Sequence, residues 1–368
     1  MMVRGLLLRN YRNYRSLSLD FSDDINIFLG KNAQGKTNII ESVYYSAFGR
    51  SHRTRIDNDL IFWQENQALL QISMERWDVS HEIRFEFRRG KKRNILWNEN
   101  PIRRSELIGK LNAVLFSPED LFLIKGAPAG RRRFLDRELS QANPSYYHDL
   151  LAYTHIVNQR NVLLKRIREQ QAKTDMLELW DRQLAEYAVR IAEKRMEAVQ
   201  KLNLLSSSMQ RRISSDMEEL SVSYVISGME ENMTKGMLSW YNEKIENSRA
   251  VDLARGSTSI GPHHDDLAFH VNGVDLRSFG SQGQQRTGAL ALKLSELEFL
   301  RSETGEYPVL LLDDVMSELD RARRQQLLDF IRQEHIQTIV TATDEAYFPQ
   351  IGSDAVYDVH EGTVRKRK

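Results

Sequence analysis

Cysteine is absent from the 368-residue chain. Disulfides, thiolate metal sites and cysteine nucleophiles are therefore excluded, which fits a reducing cytoplasm. No run of 18 apolar residues occurs, so no membrane span is expected. The opening residues lack a charged head and an apolar signal core; they pass straight into strand alternation. A charge excess is missing too, because the formal net charge is +1. Any nucleic-acid surface must then be a local patch set against acidic regions elsewhere. Internal repeats and low-complexity segments are not found. What is present is an ordinary globular composition, 41% hydrophobic and 28% charged, in a chain long enough for two or three domains.

Apolar and polar residues alternate through the first twenty positions, and Ile25-Asn26-Ile27-Phe28-Leu29 reads as a buried strand. Residues 37–48 read as a helix. Residues 67–98 read as antiparallel strands, with Ile83, Phe85 and Phe87 alternating with Arg84, Glu86 and Arg88. From 119 to 250 the period changes. Leu150, Tyr153, Val157, Leu164 and Ile167 fall at helical spacing, and Leu177, Trp180, Leu184, Tyr187 and Ile191 repeat it. Strand character returns at 221–226, 267–271, 309–312 and 338–340, with helices over 282–301 and 321–334. The expected fold is α/β: a head with a mixed, largely parallel sheet and flanking helices, interrupted by a helical lobe. The expected division is 1–118 for the N-terminal part of the head, 119–250 for the lobe, and 251–368 for the C-terminal part.

Gly30-Lys31-Asn32-Ala33-Gln34-Gly35-Lys36-Thr37 matches G-x-x-x-x-G-K-[ST] between a strand and a helix. Glycines let such a loop wrap phosphate, and its inward N–H groups and the following helix N-terminus supply positive potential. Lys36 would reach the outer phosphates, and the Thr37 hydroxyl would join a Mg²⁺ shell. Val309-Leu310-Leu311-Leu312 ends in Asp313 and Asp314, an apolar strand tipped with two carboxylates. Beside a P-loop, Asp313 would support the metal and Asp314 would activate the attacking water.

Two further stretches narrow the class. Ser281-Gln282-Gly283-Gln284-Gln285-Arg286 opens a helix and resembles the signature motif of ABC-type ATPases, which faces the γ-phosphate of the opposite subunit. Ser317-Glu318-Leu319-Asp320 resembles their D-loop. Thr343, just after the last apolar strand, sits where those ATPases place a switch residue.

With these stretches, residues 8–14, 48–54, 118–120, 126–136, 261–267 and 311–328 make the chain similar to the RecF family of bacterial recombination mediators, relatives of the Rad50 and SMC ATPases. The resemblance covers essentially the whole chain. It implies ATP-driven homodimerisation, slow ATP hydrolysis, and binding to double-stranded DNA near gaps with single-strand junctions. It also implies RecR as partner and, through it, loading of RecA. His264 stands where the family usually carries arginine.

Arg131-Arg132-Arg133 near a helix start opposes the helix dipole, so phosphate contact and an internal salt bridge both remain open. Arg88, Arg89, Lys91, Lys92 and Arg93 cluster on an expected hairpin, either against DNA backbone or as a solvated turn. His263, His264, Asp265 and Asp266 are too tightly spaced for one tetrahedral zinc site without distant ligands. Two rival readings share the P-loop. An SMC- or Rad50-type chromosome organiser needs a very long coiled coil, and a membrane-transporter motor lacks the helical insert.

Overall fold

The N-terminal part contributes β1 (Met2–Tyr11), β2 (Tyr14–Asp20), β3 (Ile25–Leu29), α1 (Lys36–Phe48), β4 (Gln67–Arg76), β5 (Val79–Arg88), β6 (Asn94–Trp97), β7 (Asn100–Pro101), α2 (Arg104–Leu107) and β8 (Ala113–Phe116). Then come α3 (Pro128–Ala142), α4 (Pro144–Arg168), α5 (Leu177–Ser214), β9 (Leu220–Val225), α6 (Met237–Arg255), β10 (Asp266–Val271), β11 (Val274–Asp275) and α7 (Gln282–Thr304). The chain closes with β12 (Val309–Asp313), α8 (Arg321–Gln333), β13 (Thr338–Ala342), β14 (Ala355–His360) and β15 (Thr363–Lys366). This computed structural model describes residues 1–214, 217–229, 236–349 and 354–367. It divides into two units, Met1–Leu121 with Glu296–Lys368, and Phe122–Ser295.

In the first unit one sheet runs β15-β14-β3-β13-β12-β8, parallel except for β15. β3, β12 and β13 are buried at every residue, as central parallel strands must be with both faces covered. A second sheet, β2-β1-β4-β5-β6-β7, is antiparallel. Its β5 buries Ile83, Phe85 and Phe87. Tyr45 of α1 packs edge-on against Phe85 and Phe87, joining the phosphate-loop helix to that sheet.

The second unit is more than a helical lobe. β9, β10 and β11 form a separate antiparallel sheet, so the strand signals at 221–226 and 267–271 do not extend the parallel sheet. β10 pairs with β9 from Asp266↔Val225 to Val271↔Leu220, and β9 packs on α5. That pairing moves the boundary expected at 250 to 295, and residues 281–286 fall in the second unit. Asn143 starts α4 by accepting from the Ser145 and Tyr146 N–H groups. Gly256, at φ 69°, ends α6 in the left-handed conformation. Arg160, fully buried, binds Asp181 and Asp252 at 2.7 Å each and ties α4, α5 and α6 together. The longest helix, α5, has 38 residues and packs against α4, α6 and β9, which leaves no very long coiled coil among the described residues. None of the described helices is long and apolar enough to cross a membrane.

Candidate nucleotide site

Parallel register brings the chemistry to one edge. β3 ends at Leu29, and Asp313 of β12 lies opposite Thr341 of β13, which lies opposite Phe28. The loops leaving these strand ends therefore meet outside the carboxyl edge, where open α/β sheets bind ligands. Gly30 is required there because a Cβ would come 2.4 Å from the Val359 carbonyl oxygen. Gly35, at φ 115°, turns the loop into α1 beneath the Tyr14 hydroxyl, which donates to its carbonyl at 3.1 Å.

A cavity of about 450 Å³ opens at this edge. Asn32, Ala33, Gly35, Lys36 and Thr37 line it with Asn13, Asn38, Arg53 and Asp314. Lys36 Nζ donates to the carbonyls of Gly30 at 2.6 Å and Lys31 at 2.9 Å. Burial holds the Lys36 ammonium below the ordinary lysine range, opposed by Asp314 and Asp313. Thr37 Oγ1 donates to Asp313 Oδ1 at 3.0 Å, and Thr341 Oγ1 donates to the same oxygen at 2.8 Å. Asp314 N–H donates to Thr341 Oγ1 at 2.9 Å. Burial raises the Asp314 carboxyl above the usual carboxylate range, and Asp313 and Glu318 add to this against Lys36. Its Oδ1 is buried and accepts no hydrogen bond among the described residues. A phosphate-sized cradle, a hydroxyl, two carboxylates and an unsatisfied buried oxygen fit a nucleoside triphosphate carrying Mg²⁺.

Not every motif residue faces the cavity. Gln34 turns away and accepts from the Glu361 N–H at 2.8 Å, while Lys31 is exposed. Asn13, Asn38 and Arg53 had no role assigned from the sequence. Asn13 Nδ2 donates to the Gln34 carbonyl at 3.1 Å, Asn38 Nδ2 to Asn13 Oδ1 at 2.8 Å, and Arg53 Nη1 to Asn38 Oδ1 at 2.9 Å. Arg12 braces the same corner with two bonds to buried Glu41, at 2.7 and 2.6 Å. Thr343 is exposed and outside the cavity lining, and Thr341 is the threonine bonded at the acidic strand.

Ser281 begins α7 with a reciprocal cap. Its Oγ accepts from the Gln284 N–H at 3.2 Å, and Gln284 Oε1 accepts from the Ser281 N–H at 3.0 Å. Ser281, Gln282, Gly283 and Arg286 are exposed, whereas Gln285 is buried and donates to the Leu276 and Gly280 carbonyls. In the expected D-loop, Ser317 is exposed, Glu318 is half-buried, Leu319 is core, and Asp320 caps α8 by accepting from the Arg323 N–H.

Two of the candidate DNA cations have internal partners. Arg131 is buried, with bonds of 2.7 and 2.8 Å to Asp266, so its partner is internal. Arg93 is half-buried, pairs with Asp57 and lies over the Tyr45 ring. Arg132 donates to the Asp265 carbonyl at 2.7 Å, while Arg133, Arg88, Arg89, Lys91 and Lys92 are exposed.

The histidine pair is a structural turn. Tyr153 Oη lies 2.5 Å from His263 Nδ1, and both histidine Nε2 atoms face the Thr258 carbonyl at 3.2 and 3.1 Å. No metal-holding cluster occurs among the described residues. Burial lowers His263 to about 4, with His264, Arg132 and Arg195 adding to it. The unfolded chain binds this proton first, so stability falls as pH drops from about 6.5 to about 4. The expected loss is about 3 kcal/mol at the low end. Urea midpoints between pH 7 and 4 check this, and His263→Gln should flatten the profile.

The fold and the site define a class: a P-loop ATPase head of the ABC and SMC type. The profile of the RecF/RecN/SMC N terminal domain family matches residues 2–366. The DNA replication and repair protein RecF of Lachnoclostridium phytofermentans is 43% identical over 369 positions, spanning 100% of both chains. This chain belongs to the RecF family. A solved structure of the recombination mediator protein RecF with ATP in the RecFOR pathway is 35% identical, with a TM-score of 0.92 over 100% of this chain and 97% of that one. A crystal structure of the Smc head bound to the C-winged helix domain of ScpA shares the fold, at 15% identity and a TM-score of 0.58 over 100% and 98%.

Proposed function

We propose that this chain is an ATP-gated DNA-binding protein of replication and recombination repair. The observation that carries the reading is the junction of Thr37, Asp313 and Thr341 beside Lys36, with Asp314 Oδ1 left without a partner. Lys36 and the loop N–H groups hold the outer phosphates, and Thr37 with Asp313 would hold Mg²⁺. When bound, Mg²⁺ neutralises charge on the phosphates. Asp314 orients and deprotonates the attacking water. The seam belongs to two copies: residues 281–286 of the second copy complete the γ-phosphate contacts, with the exposed Ser281 at a helix N-terminus. Residues 317–320 lie along that seam, with exposed Ser317 bonded to the Asp314 carbonyl. ATP thus favours the dimer, which binds double-stranded DNA near gaps through the exposed cations, and slow hydrolysis reopens it. Relatives named for replication and repair and for the RecFOR pathway support RecR as partner, through which the protein would help load RecA.

Ser281→Arg places a long cation at this seam. It is expected to leave ATP affinity within about twofold and to abolish ATP-dependent dimerisation, since several kcal/mol of contact is lost at each of two seams. Sedimentation velocity with and without ATP, Mg²⁺ and a short duplex reads both. A variant that dimerised normally would rule out the two-copy site.

A further inference from the structure

Among the exposed large apolar side chains of the described residues, Trp63 is the most exposed, at 85%. It does not sit in a slack loop. Residues 62–65 form a turn closed by the Glu65 N–H on the Phe62 carbonyl at 3.1 Å, and Gln64 takes φ 68°, as a type II turn requires at its third position. The turn is anchored at its start, where Phe62 N–H donates to the Asn10 carbonyl at 2.8 Å and Ile61 bridges Tyr11. Anchorage also comes from the other side: Arg89 N–H donates to the Asn66 carbonyl at 3.0 Å, and Arg89 Nε donates to the Glu65 carbonyl at 2.7 Å. An indole is therefore held out into solvent by a turn that is itself hydrogen-bonded on both flanks.

Its surroundings are cationic. The Arg15 guanidinium lies 4.5 Å over the Phe62 ring, and its side chain remains 71% exposed. Arg88 ends β5 opposite Gln67, two residues beyond the turn, and Lys91 N–H closes a tight turn on the Arg88 carbonyl at 3.1 Å. Arg88, Lys91 and Lys92 are exposed and hold no ion pair among the described residues. Of the acidic groups on these segments, Glu65 pairs with Arg15 and Asp57 with Arg93, while Glu86 accepts from Asn94 Nδ2 at 3.3 Å. A flat aromatic face with exposed cations beside it, three of them without an ion pair among the described residues, is the chemistry that grips a nucleic-acid strand whose bases are free to stack. The bases of a duplex are already paired and stacked on one another, so the ligand is an unpaired strand.

We infer that Trp63 is a stacking platform for an unpaired base, with Arg15, Arg88, Lys91 and Lys92 holding the adjoining backbone phosphates. The inference rests on the DNA-binding reading above and names the residue that distinguishes a duplex with a single-stranded tail from a blunt one. Cations bind both DNAs alike, whereas the indole acts only on the tailed one.

Fluorescence anisotropy with the full chain, ATP and Mg²⁺ compares a labelled blunt duplex with the same duplex carrying a single-stranded tail. Trp63→Ala is expected to bind the tailed DNA about tenfold more weakly, the size of one base–aromatic stack, with blunt-duplex and ATP affinity unchanged. Trp63→Phe should recover most of the loss. Lys91→Glu with Lys92→Glu should weaken both DNAs and flatten their salt dependence. An unchanged tailed affinity in Trp63→Ala, an equal loss on both DNAs, or loss of ATP binding overturns the inference. So does a wild-type chain that binds both DNAs equally, which leaves DNA binding itself intact. A wild-type chain that binds neither DNA removes the parent reading as well.

Discussion

Lys36→Met is expected to bind ATP at least about 100-fold more weakly and to show no ATP-dependent dimer. Charge-assisted hydrogen bonds to phosphate contribute roughly 1.5–3 kcal/mol each, and a lysine at this position makes them to two phosphates. Methionine keeps the unbranched stem and removes only the charge and the donors. Lys36 sits at 6% exposure with its ammonium bonded to two loop carbonyls, so it is already at the mouth of the phosphate cradle rather than out in solvent. The cost of holding it there shows in its depressed pKa, which burial causes. Losing that cost offsets the two lost carbonyl bonds, so thermal stability without nucleotide should stay within a few degrees. Isothermal titration with ATP measures the binding loss, sedimentation the missing dimer, and a melting curve the intact fold. ATP affinity within threefold of wild type would move the phosphate site elsewhere.

Residues 30–37 and Asp313-Asp314 were legible because each is a contiguous motif whose physics is local. A phosphate loop needs only its own glycines and the next helix. The partners that complete the site were not legible, because strand register and loop packing bring them in. Thr341 is the clearest instance. The likeness to ABC-type ATPases points to Thr343 as a switch residue and says nothing of Thr341, which strand register sets opposite Asp313. Asn13 and Arg53 reach the cavity through a relay by way of Asn38 that no spacing rule encodes.

The arginine triplet makes the same point about charge. One residue apart on α3, Arg131 is buried on Asp266 while Arg132 reaches the Asp265 carbonyl, and Arg133 faces solvent. Helix phase separates them, and only the structure supplies the phase. The boundary near 295 was missed for a related reason. Alternation identifies a strand but not its partner, and β10 pairs with β9 rather than with the parallel sheet.

Asp314→Asn is expected to slow ATP hydrolysis by about 10²–10³-fold, the range removed with a general base, while ATP binding and the ATP-bound dimer persist. The backbone makes this a clean exchange. Asp314 has φ 55°, a left-handed conformation that asparagine tolerates as well as aspartate. Its N–H bond to Thr341 Oγ1 does not involve the side chain, so the anchoring of the strand end is kept. Thr37, Asp313 and Lys36 keep their mutual contacts, which is why binding should survive. What disappears is the carboxylate that takes the proton, one that burial raises above the usual range against the pull of Lys36, with Asp313 and Glu318 adding to the rise. Removing that charge relieves its burial cost and the repulsion from Asp313 and Glu318, which together outweigh the lost attraction to Lys36, so the nucleotide-free variant should melt no lower than wild type. Single-turnover hydrolysis measures the chemical step directly, and sedimentation with ATP should find a dimer that outlasts the wild-type one, because the step that opens it is blocked. If hydrolysis stayed within threefold of wild type, water activation would have to come from another group. If the dimer were lost together with hydrolysis, Asp314 would be holding the seam and not the water.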